Sequence, residues 1–146
     1  MQILQPGFEV TVRSRFGIDA DDLPDTELNQ PLIVDLAEAT IMKRVPDYAI
    51  VTDVADQLYL QNAVINQICY ILCPSMAKRL NLKIAISDVK IEKDRINWDD
   101  MAQNFLLQVE TSLSSVTTVT VTTGMTSDHV LVDKIKNERK PIGGEW

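Results

Sequence analysis

Residues 53–72 read DVADQLYLQNAVINQICYIL. Val54, Leu58, Ala63, Ile65, Ile68, Cys69 and Leu72 place an apolar side chain on nearly every turn of a helix, and around residues 65–72 the apolar face broadens. A face of that width belongs at the centre of a core. Thr52 or Asp53 can cap the N-terminus, and Asp56 sets an acid in the first turn, where the helix dipole favours it. Pro74 is expected to stop or kink this helix, with residues 75–80 adding a further turn.

Working outward, the preceding segment predicts a helix over residues 31–44. Pro31 stands at the first helical position, where its missing N–H costs nothing. Leu32, Leu36 and Ala39 form one row, and Ile33, Ala37 and Ile41 the adjacent one, together a wide apolar stripe. Lys43 and Arg44 suit the C-terminal end of the dipole, and Val45-Pro46 closes the helix. On the other side, Asn97-Trp98-Asp99-Asp100 reads as an Asn cap with two acids in the first turn. Met101, Phe105, Val109 and Leu113 follow at spacings of four, with Leu106 beside them. Between these helices Ile84, Ile86, Val89 and Ile91 alternate with polar residues, which predicts a strand with a bulge or a small hairpin.

The two ends are less regular. In residues 1–16 Phe8, Val10 and Val12 alternate, the pattern of an arm or edge strand. From Thr111 the composition shifts: eleven of the seventeen residues 111–127 are Ser or Thr, interleaved with Val116, Val119 and Val121. Val and Thr favour extended structure. Residues 124–128 supply a turn, after which Val130, Leu131, Val132 and Ile135 resume, so a hairpin or extended arm is expected. Such an arm holds too little apolar surface to fold alone, so it should lie on something else. The expected architecture is mainly α: a small three-helix bundle with a short β element between helices two and three and an extended or hairpin C-terminal arm. Its divisions are an N-terminal arm (1–16), a helical core (17–116) and the C-terminal arm and tail (117–146).

Length and charge narrow the function. At 146 residues one domain is expected. Fourteen basic residues against twenty-one acidic ones give a net charge of -7, opposite to what phosphate binding needs. The charge is also uneven. Residues 18–60 carry ten acids and two bases, and residues 61–97 carry six bases and three acids. Complementary patches of this kind suit self-association. No apolar run is long enough for a membrane helix and no signal-peptide pattern opens the chain, so synthesis and retention in the cytoplasm are expected.

Chemical motifs are scarce. The chain has one histidine, His129, and five glycines, none in a phosphate-binding loop. His129 has no cysteine at ligand spacing and no nucleophile beside it, and reads as a strand-end residue. Counted from Asp19, a calcium loop would need glycine and glutamate where Pro24 and Gln30 stand, so the acidic stretch reads as a solvated approach to the next helix. Cys69 and Cys73 share an apolar helix face and read as buried, reduced thiols. Asp99 and Asp100 point in different directions and serve as cap residues. Trp98 is expected in the core, and Trp146 is either a tail end or an anchor for a partner. Nothing here recommends an enzyme, a metal or a cofactor.

The order of elements nevertheless resembles a known family. Residues 25–44, the stretch DVADQLYLQNAVINQICYIL (53–72), and residues 84–113 with DRINWDDMAQNFLLQVETSL (94–113) resemble the head–tail connector (adaptor) proteins of tailed bacteriophages. The likeness is one of pattern and covers roughly residues 21–116. It implies a structural virion protein, made in the bacterial host cytoplasm, that assembles with copies of itself as a dodecameric ring beneath the portal protein. Such a ring extends the DNA channel and docks a tail or stopper protein, without binding DNA specifically. It further implies that terminal segments clasp the portal or a neighbouring subunit, which here would fall to Val119, Val121, Val130, Val132, Lys134, Lys136, Arg139, Lys140 and Trp146. A channel wall should repel phosphate, a role that would suit Asp19, Asp21, Asp22, Asp25, Asp35 and Glu38. The competing readings are a tail-completion or stopper protein, which would be richer in β structure, and a helical regulator, which would need a basic helix face.

Overall fold

Gly7 and Gly17, both with positive φ (92° and 67°), bracket a first helix, α1 (Phe8–Phe16). The left-handed conformation at both ends is open to glycine at little cost, and it starts and stops the helix. This corrects the arm or edge strand expected for residues 1–16. Phe8 and Val12 are four apart as well as two steps of an alternation, and they lie buried on one helix face while Val10 is 68% exposed. With Ile3 and Leu4 also buried, the N-terminal segment belongs to the core.

A computed structural model describes residues 3–86 and 96–122. After α1, the Asp19 carboxylate accepts the backbone N–H groups of Asp21 (3.0 Å) and Asp22 (3.2 Å), a side-chain-capped turn that drops Leu23 into the core. Arg13 donates from Nε to the Leu23 carbonyl (2.8 Å) and pairs with Asp25, which opens the short helix α2 (Asp25–Leu28). Residues 31–33 form a turn, and the next helix, α3 (Val34–Arg44), begins later than Pro31. Val34, Ala37 and Ile41 are buried. The other expected row is not: Leu32 is 79% and Leu36 51% exposed. A periodic pattern gives the width of a stripe but not how much of it a neighbour covers.

A 3-10 turn (Tyr48–Ile50) leads into α4 (Val54–Ile86), 33 residues long. Asp53 caps it by accepting the Asp56 N–H (3.0 Å). Leu60, Ala63, Val64, Ile68, Cys69, Leu72, Cys73 and Met76 form its buried face, whereas Val54 and Leu58 are 69% and 58% exposed. Pro74 does not end the helix. The side chain stands on the exposed side, where water can satisfy the carbonyl one turn back that has lost its N–H partner. The helix thereby includes residues 84–86, where a strand was expected, because a short apolar alternation cannot outweigh a helix already propagating. Residues 87–95, the rest of that expected element, lie outside the described residues.

Asn97 caps the last helix, α5 (Trp98–Ser114), its Oδ1 accepting the N–H groups of Asp99 and Asp100, both at 3.2 Å. Phe105, Val109 and Leu113 face inward, and Trp98 and Met101 pack partly buried against the core. The Ser/Thr shift at Thr111 leaves the helix intact for another turn. Thr111 and Ser112 return their hydroxyls to the carbonyls of Leu107 (2.9 Å) and Gln108 (2.8 Å). The fold is mainly α. α4 is its spine, packed most extensively on α5 and also on α3 and α1. The Phe16 ring meets the Phe105 ring edge-on, centroids 5.5 Å apart, where α1 reaches α5. No helix among the described residues is long and apolar enough to cross a membrane.

Candidate functional site

Past α5 the chain turns back across the corner between α3 and α4. Asp56, in the first turn of α4, is 2% exposed and directs Oδ2 at this returning segment. That single oxygen accepts the Thr118 hydroxyl (2.5 Å), the Thr118 N–H (2.8 Å), the Thr117 N–H (3.1 Å) and, at longer range, the Thr117 hydroxyl (3.4 Å). The Thr118 hydroxyl and then its N–H hold the carboxyl below the usual carboxylate range, outweighing the opposing effect of burial.

Four residues on, Arg44 at the end of α3 holds the same segment. Its backbone carbonyl accepts the Thr122 N–H (2.8 Å), and its Nε donates to the Thr122 carbonyl (3.2 Å). The rest of the guanidinium forms a two-pronged pair with Glu110 of α5, at 2.6 and 2.7 Å. Val116 is buried, and Val119 and Val121 pack partly buried against the core. Residues 116–122 thus lie on the helices without regular secondary structure, bending at 118–119, and the rest of the expected hairpin or extended arm lies outside the described residues. Of the expected docking residues, Val119 and Val121 are partly occupied by the chain's own core. Val130, Val132, Lys134, Lys136, Arg139, Lys140 and Trp146, together with His129, lie outside the described residues.

Beside this corner opens a cavity of about 470 Å³ between the N-terminal segment and the start of α4, lined by Ile3, Tyr48, Val51, Leu60 and three glutamines among others. Gln57 spends its amide on the Val51 carbonyl (2.9 Å). Among the described residues Tyr48 is the only titratable side chain in the lining, which is otherwise apolar wall and amides.

The residues of the expected acidic surface differ in exposure and pairing. Asp19, Asp21 and Asp35 are exposed and Asp22 half-buried, while Asp25 pairs with Arg13. Glu38 is a correction: it is 2% exposed, and its Oε1 accepts the N–H groups of Ile3 (3.0 Å) and Leu4 (2.9 Å). A carboxylate turned inward to hold the N-terminal segment cannot line a channel.

Two further features escaped the sequence reading. Arg15 donates to the amide oxygens of Asn62 (2.7 Å), Asn66 (3.2 Å) and Gln108 (2.9 Å), while Asn62 donates to the Ser112 hydroxyl (2.7 Å). This polar brace ties α1, α4 and α5 together. Glu27 likewise pairs with Arg79, which also donates to the Asp22 carbonyl (3.1 Å). Partners 47 to 93 residues apart leave no local signal. Cys69 and Cys73 are free and buried, as expected, and burial pushes their thiols up to about 12 and about 11. No protein-family model, curated protein or solved structure matches this chain.

Proposed function

We propose that this chain is a structural subunit of a tailed-phage virion, a head–tail connector that assembles with its own copies into a ring beneath the portal. The observation that carries the reading is the apolar surface a single copy leaves open. Leu32 (79%), Ile50 (70%), Val54 (69%), Val10 (68%), Leu107 (64%) and Leu58 (58%) are all exposed, although the chain also buries a full core. In the proposed ring these are the side chains that neighbouring subunits would cover. The helical spine favours a connector over a β-rich stopper, and the hydrogen bonds and packing of the site described suit a holding device. The resemblance of residues 21–116 to connector proteins supplies the identity of the ring and its partners, the portal above and a tail or stopper below.

The test is the mass of the purified protein in solution, alone and mixed with portal particles. Stoichiometric rings that form on the portal support the reading. A small discrete oligomer indifferent to portals would reject it in favour of a helical binding module.

A further inference from the structure

The apolar hold on residues 116–122 is slight. Val116 is buried and Val119 and Val121 are partly so, while Thr117, Thr118, Thr120 and Thr122 are exposed. What fixes the segment is a pair of polar attachments at its two ends: the Asp56 carboxylate on Thr117 and Thr118, and Arg44 on Thr122. Both belong to the same corner, Arg44 closing α3 and Asp56 opening α4. The helices behind them are joined independently of the segment, by Arg44–Glu110 and by the packing of α4 on α5 and α3. A piece of chain with few buried contacts, held by concentrated hydrogen bonds over a self-sufficient core, belongs to the class of elements that open locally before the whole protein does.

We propose that residues 116–122 form a detachable strap, which docks on the α3–α4 corner and leaves it as one unit, with Asp56 as the positioning residue and the helical core unaffected. Docked, the strap holds Thr122 at the end of α3; undocked, Thr122 is tethered only through the end of α5. The device stands independently of the virion reading.

Its test is residue-resolved amide hydrogen exchange on the full chain, comparing the natural protein with D56N, T118V and T118S. Thr118→Val keeps the shape and removes the hydroxyl. Thr118→Ser keeps the hydroxyl and removes the methyl. In D56N and T118V the amides of Thr117, Thr118 and Thr122 should lose protection together, on the order of tenfold or more, while buried amides at Ala63, Ile68, Leu72 and Val109 keep theirs. T118S should behave as the natural protein. Loss of protection at Thr122 is the decisive reading, because its partner is Arg44 and no mutated atom touches it. Protection retained at Thr122 while Thr117 and Thr118 exchange freely would overturn the proposal, since the two attachments would then be separate. Equal loss across the α4 and α5 amides would overturn it as well, and so would T118S loosening as much as T118V, which would make the hold one of packing.

Discussion

At the scale of single residues, four buried groups carry most of the specific information. Glu38 is tolerated inside because its Oε1 answers two backbone N–H groups of the N-terminal segment. Glu38→Leu would strand both donors and should lower the unfolding free energy by about 2 kcal/mol or more, read from urea denaturation. Glu38→Gln keeps a carbonyl oxygen in place and should lose less. Cys69 and Cys73, with thiols raised to about 12 and about 11, carry almost no thiolate near neutral pH. A disulfide reagent at pH 8 should modify neither in the folded protein and both in urea, and rapid native labelling of either would contradict their burial. Asp56 works in the opposite direction. Its carboxyl is held lower in the folded chain than in the unfolded one, so its contribution is complete above the unfolded value of about 3.9 and declines as pH falls through the folded value below it. The stability gap between the natural protein and D56N should therefore be constant near neutral pH and close only in acid below about pH 4, as urea midpoints at a series of pH values would show.

At the scale of elements, what was legible in the sequence is what local chemistry decides. The start of α5 was readable because Asn97 and the two N–H groups it accepts lie within three residues. Asn97→Ala should accordingly cost about 1 kcal/mol of stability. The inner half of α4 was readable because an apolar face that broad has nowhere to go but inward. Elements were missed where two periods coincide or where the neighbour decides. Phe8 and Val12 fit a strand and a helix equally, and Gly7 and Gly17 break the tie through their positive φ. Leu36 and Ala37 sit on the same helix with opposite fates because α3 turns only one row toward α4. Pro74 is expected to stop or kink its helix, and it does not stop it, because the helix on either side is long enough to carry the missing hydrogen bond. Pro74→Ala should raise the unfolding free energy by about 1–3 kcal/mol, part of the proline cost being offset by its stiffening of the unfolded chain. A drop in the urea midpoint of that variant would mean that the proline is needed for packing.

At the scale of the whole molecule, the α3–α4 corner was illegible for a simple reason: Asp56 and Thr118 are 62 residues apart, and Arg44 and Thr122 are 78 apart. Sequence showed an acid suited to a first turn and a basic residue suited to a last turn, both true, and neither hinting at a shared second task. Charge has the same character. The acidic stretch is visible in the sequence, but only the fold separates Glu38, which is buried, and Asp25, whose exposed carboxylate is paired with Arg13, from Asp19, Asp21 and Asp35, which face water. In a ring through which DNA passes, only the second group could act on the passing phosphates, by repulsion at distances below the Debye length of about 8 Å. Replacing Asp19, Asp21 and Asp35 with Asn tests this without disturbing the fold, since Asn at position 19 can still accept the turn's N–H groups and the other two face solvent. Rings should form normally on the portal, and DNA release from particles carrying them should slow, more so at low salt than at high salt because the repulsion is screened. Unchanged release at low salt, with rings intact, would place these carboxylates on the outer wall and leave the lumen to another face of the helices.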